Sequence, residues 1–131
     1  GDHVSPARRE RFLTLHPEIA QAMVVGDRRP YLVAIIVPDA DWAAGWAKTN
    51  GRPAALAGLV DDPDFQAQIA ASVARVGREL SVIERVRHFL VTAEPFTTEN
   101  GMLTPSLKIR RHVIRERFGA AIEALYGGRA G

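Results

Sequence analysis

Ile19-Ala20-Gln21-Ala22-Met23-Val24-Val25, Gly26-Asp27-Arg28-Arg29-Pro30 and Tyr31-Leu32-Val33-Ala34-Ile35-Ile36-Val37 follow one another without a break. The outer runs are apolar and rich in β-branched residues, and a polar segment with glycine and proline parts them, so they predict two strands joined by a turn. The second run shows no polar alternation and is expected to be buried on both faces. Upstream, Ser5-Pro6 offers a cap and a first helical residue whose missing N–H costs nothing; the helix it opens runs through Ala7 to Leu13, and Pro17 ends it. Downstream, Pro38-Asp39 opens a helix that carries Trp42 and Trp46 on one side and closes at Gly51. Asp62-Pro63-Asp64 starts an amphipathic helix with Phe65, Ile69, Val73, Val76 and Leu80 at helical spacing. His88 to Thr92 reads as a third strand.

Glu94-Pro95 leads into Asn100-Gly101, a two-residue hairpin signal because both residues tolerate positive φ. Pro105 biases Thr104 away from the helical region, and Ser106 is expected to cap a long basic helix whose apolar stripe is Leu107, Ile114, Phe118, Ile122 and Leu125. Strands mixed with packed helices, with no internal repeat, predict an α+β fold: a small mixed sheet plus a β-hairpin flanked by several helices, in a single domain over 1–131. Gly127-Gly128-Arg129-Ala130-Gly131 is expected to be a flexible tail. The chain starts at Gly1 and enters an organised motif by Val4, which reads as a piece of something longer.

With 131 residues, 47% of them hydrophobic, the chain is long enough to bury a core of its own. The apolar run from Tyr31 to Val37 is too short to cross a bilayer, and the expected location is cytosolic, with contact at a membrane surface left open. The absence of cysteine removes disulfides, thiolate nucleophiles and the common structural zinc sites. A formal charge of only +2 argues weakly for a nucleic-acid partner.

Among residues able to carry chemistry, Lys108 stands out. It is expected at the start of the basic helix, where the helix dipole with Arg110 and Arg111 would favour an anion such as phosphate or carboxylate; the plain alternative is a solvated lysine. Arg110, Arg111, Arg115 and Arg117 suggest a nucleic-acid face, but Glu116 and Glu123 interrupt it and no aromatic residues interleave for base stacking. Asp62 and Asp64 are accounted for as a cap and an acidic first turn, without an ion. His3, His16, His88 and His112 lack the spacing of a helical ligand pair. Asp39 and Asp41 flank a helix start, and Trp42 with Trp46 reads as core. No glycine-rich phosphate loop and no serine, histidine and acid grouping is present, so the chain by itself carries no complete active site.

Several of these stretches, in order, resemble one family. Gly1 to Glu10, with Val4, Pro6 and Glu10, then His16-Pro17-Glu18-Ile19-Ala20-Gln21-Ala22-Met23-Val24-Val25-Gly26-Asp27, are similar to the C-terminal domain of the AMP-forming acyl-CoA synthetases, within the adenylate-forming enzymes. Tyr31 to Pro38, Trp46-Ala47-Lys48 and Asn50-Gly51 resemble the long-chain fatty acid–CoA ligase group in particular. Leu103-Thr104-Pro105-Ser106-Leu107-Lys108-Ile109-Arg110-Arg111 matches the segment that carries the family's catalytic lysine. Arg9 stands where the family often has an apolar residue, and Leu107 where many relatives outside the long-chain group have glycine.

The resemblance implies the lid domain of a two-step ligase that forms an acyl-adenylate from a fatty acid and ATP, then acyl-CoA, releasing pyrophosphate and AMP. It implies Lys108 as the catalytic residue of the first step, and Gly1, Val4 and Pro6 along the pantetheine path of CoA. ATP, CoA and Mg2+ would serve the full-length enzyme, with no metal site in this chain, and the fragment alone would be inactive. The partners implied are an N-terminal domain of the same polypeptide and a fatty acid. The alternatives are the lid of another adenylate-forming ligase, acting on aryl or amino acids and loading a carrier protein, and a free-standing basic nucleic-acid-binding module. Against the carrier-loading relatives stands the helical segment from Trp46 to Leu80, which compact relatives lack.

Overall fold

The computed structural model describes residues 5–79 and 85–127. Gly1, Val4, Leu80 and residues 128–131 of the expected tail lie outside the described residues. In chain order the elements are α1 (Pro6–Thr14), β1 (Ile19–Val25), β2 (Leu32–Pro38), α2 (Ala40–Thr49), α3 (Leu56–Leu59), α4 (Pro63–Glu79), β3 (Val86–Val91), α5 (Arg111–Arg117) and α6 (Gly119–Leu125).

The caps expected for the first helices are in place. The Ser5 hydroxyl accepts the Arg8 N–H at the start of α1, with Pro6 as its first residue. Asp39 accepts the Trp42 N–H at 2.8 Å and starts α2, and Gly51 takes φ +68° just beyond that helix. At the start of α4, Asp62 Oδ1 accepts the N–H of Asp64 at 2.8 Å and of Phe65 at 3.2 Å.

The sheet has the order β1-β2-β3, with β1 antiparallel and β3 parallel to the central β2. All seven residues of β2 are buried, as the unbroken apolar run predicts. Its side chains alternate between two cores. Leu32, Ala34 and Ile36 join Leu13, Ala43, Leu59, Phe65 and Ile69 under the first four helices. Val33, Ile35 and Val37 join Phe96, Met102, Ile114 and Ile122 on the opposite side. The sheet is therefore a middle layer, with α1–α4 on one face and the C-terminal segment with α5 and α6 on the other.

Trp42 and Trp46 are partly buried and pack against the first core: their rings lie 5.9 Å and 5.3 Å from that of Phe65. Near the same corner, Arg52 bridges Asp62, at 3.2 Å, and Asp64, so these carboxylates are committed to a cap and an arginine. Among the described residues no helix is long and apolar enough to cross a membrane.

The last third of the chain departs from expectation twice. Asn100 does not take positive φ; only Gly101 does, at +80°. The Asn100 side chain instead accepts the N–H groups of Thr97 and Met102, both at 3.1 Å, and donates to the Pro95 carbonyl at 2.8 Å. That side-chain network replaces the two-residue hairpin turn. The basic helix does not begin after Ser106 but at Arg111, and it is two short helices parted at Phe118. Leu107 sits at φ +65° and is 70% exposed, so it neither enters the helix nor joins its stripe, whereas Ile114, Phe118, Ile122 and Leu125 do pack on the second core.

The Asp62 carboxyl lies below the usual carboxylate range, held there first by the Phe65 N–H and then by Asp64 N–H and Arg52. A folded pKa below the unfolded one means that Asp62 contributes stability above the unfolded value, and that this is lost as pH falls through the folded value. Urea midpoints measured from neutral to acid pH should fall for the wild type, and the fall should be shallower for Asp62→Asn; equal slopes would show that Asp62 carries no such linkage.

Candidate functional site

Lys108 lies on a tight loop between Leu103 and Ile109, which form an antiparallel bridge. The loop closes on itself. Thr104 N–H donates to the Lys108 carbonyl at 2.8 Å, and Lys108 N–H donates to Thr104 Oγ1 at 3.0 Å. Arg110 N–H donates to the Met102 carbonyl at 2.8 Å, and the Arg110 guanidinium reaches the Gly101 carbonyl at 3.2 Å. Leu103 and Ile109 pack on the second core, so the base of the loop is half-buried while Lys108 is exposed. Among the described residues its ammonium has no ion-pair partner.

Two further ties join this segment to the front of the domain. The Gln21 carboxamide in β1 donates to the Phe96 carbonyl at 2.9 Å and accepts the Phe96 N–H at 2.8 Å, standing in for a pair of backbone partners. Glu10, buried in α1, accepts a two-pronged hydrogen bond from Arg111, with both distances 2.7 Å, and also takes the Val24 N–H of β1 at 2.7 Å. An open groove of about 620 Å³ runs along these residues, lined among others by Glu10, Arg11, Gln21, Leu107, Lys108 and Arg111.

Lys108 precedes α5 instead of sitting in its first turn, so it is a cation on a braced loop and not one placed at a helix N-terminus. The basic face expected for nucleic acid is partly broken up by pairing, with Arg115 exposed and outside the described ion pairs. Arg111 is engaged by Glu10, Arg117 lies 3.1 Å from Glu94, and Arg110 is turned to Gly101. Pro6 lines a different hollow, of about 460 Å³, with Arg9, Arg28 and Tyr31, so the structure does not bring Pro6 and Lys108 together. Arg9 is buried even though the position is often apolar in the resembled family. His88 meets the Tyr31 ring edge-on at 5.5 Å, and His112 is exposed on α5. Among the described residues, no group of three or more His, Cys, Asp or Glu side chains is arranged to hold a metal ion.

A family model described as AMP-binding enzyme C-terminal domain matches residues 1–130. The chain belongs to that family. Relatives of this AMP-binding enzyme C-terminal domain include long-chain-fatty-acid–CoA ligase FadD15 of Mycobacterium tuberculosis, 39% identical over 128 residues, covering 96% of this chain and 21% of the relative. Long-chain-fatty-acid–CoA ligase 6 of Homo sapiens is 34% identical over 129 residues, covering 96% of this chain and 18% of the relative. Among solved structures, the A domain of carboxylic acid reductase from Segniliparus rugosus, in complex with AMP and a co-purified carboxylic acid, superposes with a TM-score of 0.73. It is 31% identical and covers 95% of this chain and 18% of that one. The chain therefore spans about a fifth of the length of the curated relatives it matches. The match to a carboxylic acid reductase also shows that the Trp46 to Leu80 segment does not by itself separate ligases from other adenylating relatives.

Glu10 meets Arg111 and Gln21 meets Phe96 across 101 and 75 positions of sequence, and no local pattern marks either contact. Asn100, by contrast, is local and misread only in its mechanism. Because its side chain holds three backbone groups, Asn100→Ala should cost about 1–2 kcal/mol in chemical denaturation; an unchanged midpoint would show that the turn holds without it.

Proposed function

We propose that this domain is the movable lid of an ATP-dependent fatty acid–CoA ligase and that Lys108 is its catalytic residue in acyl-adenylate formation. The observation that carries this reading is a free ammonium on a loop whose base is pinned at both ends. In the first step the fatty acid carboxylate attacks the α-phosphorus of ATP and expels pyrophosphate. Two anions meet there, and a preplaced cation between them offsets the negative charge that builds up on the α-phosphate oxygens. The bracing of the loop supplies orientation in advance, which is the other part of such catalysis.

In the second step the CoA thiol attacks the acyl carbonyl of the adenylate, gives up its proton and releases AMP. A lid that turns between steps would withdraw Lys108 and present another face. The separate hollow lined by Pro6 supports this division, and we assign Gly1, Val4 and Pro6 to the pantetheine path. Mg2+ would neutralise the ATP phosphates, with its ligands drawn from those phosphates and the rest of the polypeptide. The fatty acid assignment rests on the long-chain ligases among the relatives. Its alternative, a carrier-protein acceptor, is tested by offering CoA and a carrier protein to the full-length enzyme over a panel of acids.

In the full-length enzyme, Lys108→Ala should lower acid-dependent ATP–pyrophosphate exchange about 100-fold or more. Thioester formation from supplied acyl-adenylate should be largely kept. Unchanged exchange would remove Lys108 from the chemistry.

A further inference from the structure

We infer that Glu10 is a positioning residue for Lys108, acting through Arg111. The inference rests on the role proposed for Lys108 and concerns what sets its place. Glu10 is buried, and its two oxygens are fully used: Oε1 and Oε2 each take one arm of the Arg111 guanidinium, and Oε2 also takes the Val24 N–H. One carboxylate thus joins α1, β1 and the first residue of α5. Lys108 lies just before that residue, on a loop whose own bonds make it a stiff unit. Its orientation relative to α1 and β1 is set by ties outside the loop.

Among the described polar contacts the two nearest the loop act at opposite ends, and a third, from the Tyr126 hydroxyl to the Val25 carbonyl of β1 at 3.1 Å, lies farther along the chain. Gln21 holds Phe96, ahead of the Asn100 turn, and Glu10 holds Arg111, behind the lysine. Both residues line the groove that Lys108 borders. Freeing Arg111 would leave the loop intact but remove the nearest tie behind the lysine, so that side would be held by the more distant Tyr126 to Val25 bond and by the packing of Ile114 and Ile122. The cation would still be there, displaced and mobile. A displacement of about 1 Å is enough to cost on the order of 100-fold in a reaction that depends on near-contact geometry.

The charge is what makes the tie specific. A glutamine at position 10 keeps the volume and an oxygen for the Val24 N–H, but it turns an amide N–H₂ toward a guanidinium that has only donors to offer. The fork is then lost without opening a cavity. A tie that served stability alone would weaken both half-reactions together through loss of folded enzyme. A positioning tie should affect only the step that uses Lys108.

The test uses the full-length enzyme with Glu10→Gln, Arg111→Lys and Lys108→Ala side by side. Acyl-adenylate formation is followed by pyrophosphate exchange, and thioester formation is followed from supplied acyl-adenylate. For Glu10→Gln, kcat for adenylate formation should fall about tenfold to 100-fold. KM for ATP and for the acid, and the rate of the thioester step, should stay within about twofold. Arg111→Lys, which keeps the charge but not the fork, should lose less and in the same step. Equal loss in both steps would overturn the inference, as would full adenylate formation in Glu10→Gln while Lys108→Ala is inactive in it. Full activity of Lys108→Ala would instead remove the underlying role of the lysine, and the inference with it. Should Glu10→Gln fail to accumulate, Arg111→Lys decides by the same two readouts.

Discussion

β2 has no side that faces water. Its seven residues are buried, so its backbone groups need partners along both edges and its side chains need cover on both faces. The antiparallel β1 satisfies one edge through a short turn, where Arg29 N–H closes on the Gly26 carbonyl at 3.0 Å. The parallel β3 satisfies the other, and a parallel neighbour requires a long connection. That connection is α2 to α4, which covers the first face. The second face has to be covered by whatever follows β3, and this brings Phe96, Met102, Ile114 and Ile122 back across the sheet. The lysine loop is therefore carried by the segment that closes the second core.

This origin accounts for the contrast between the base of the loop and its tip. Leu103 and Ile109 are drawn in by the apolar surface of the sheet, and the residues between them cannot follow. The loop must satisfy its own backbone, and Thr104 does so with both its N–H and its hydroxyl. Among the described residues Lys108 is left exposed with its amine unpaired, while Arg111, Arg117 and Arg110 are taken up by Glu10, Glu94 and the Gly101 carbonyl. Among the described residues, pairing takes up Arg110, Arg111 and Arg117 and leaves Lys108 on its loop and Arg115 on α5 exposed.

The elements and their caps were legible in the sequence because they depend on neighbours within a few residues. Ser5, Asp39 and Asp62 each act on an N–H two or three positions on, and the period of the apolar residues identifies strand and helix faces. The loop was misread at the point where local rules compete. Pro105 and Ser106 look like a helix start, but the Thr104 hydroxyl takes the Lys108 N–H, and Leu107 accepts a left-handed conformation that costs a residue with a Cβ about 1–2 kcal/mol. A glycine at position 107 would meet the same geometry without that cost.

The amino-acid sequence alone determined the α+β class, the double burial of β2 and the resemblance to adenylate-forming enzymes, and it singled out Lys108 as a candidate, since composition, period and motif order are properties of the chain read in one direction. Only the tertiary structure decided how that lysine is held. Glu10 meets Arg111 across 101 residues and Gln21 meets Phe96 across 75. Such partners are selected by the packing of a finished sheet between two cores, where a buried carboxylate must find a cation and a buried backbone must find a donor and an acceptor. No spacing in the chain encodes that encounter.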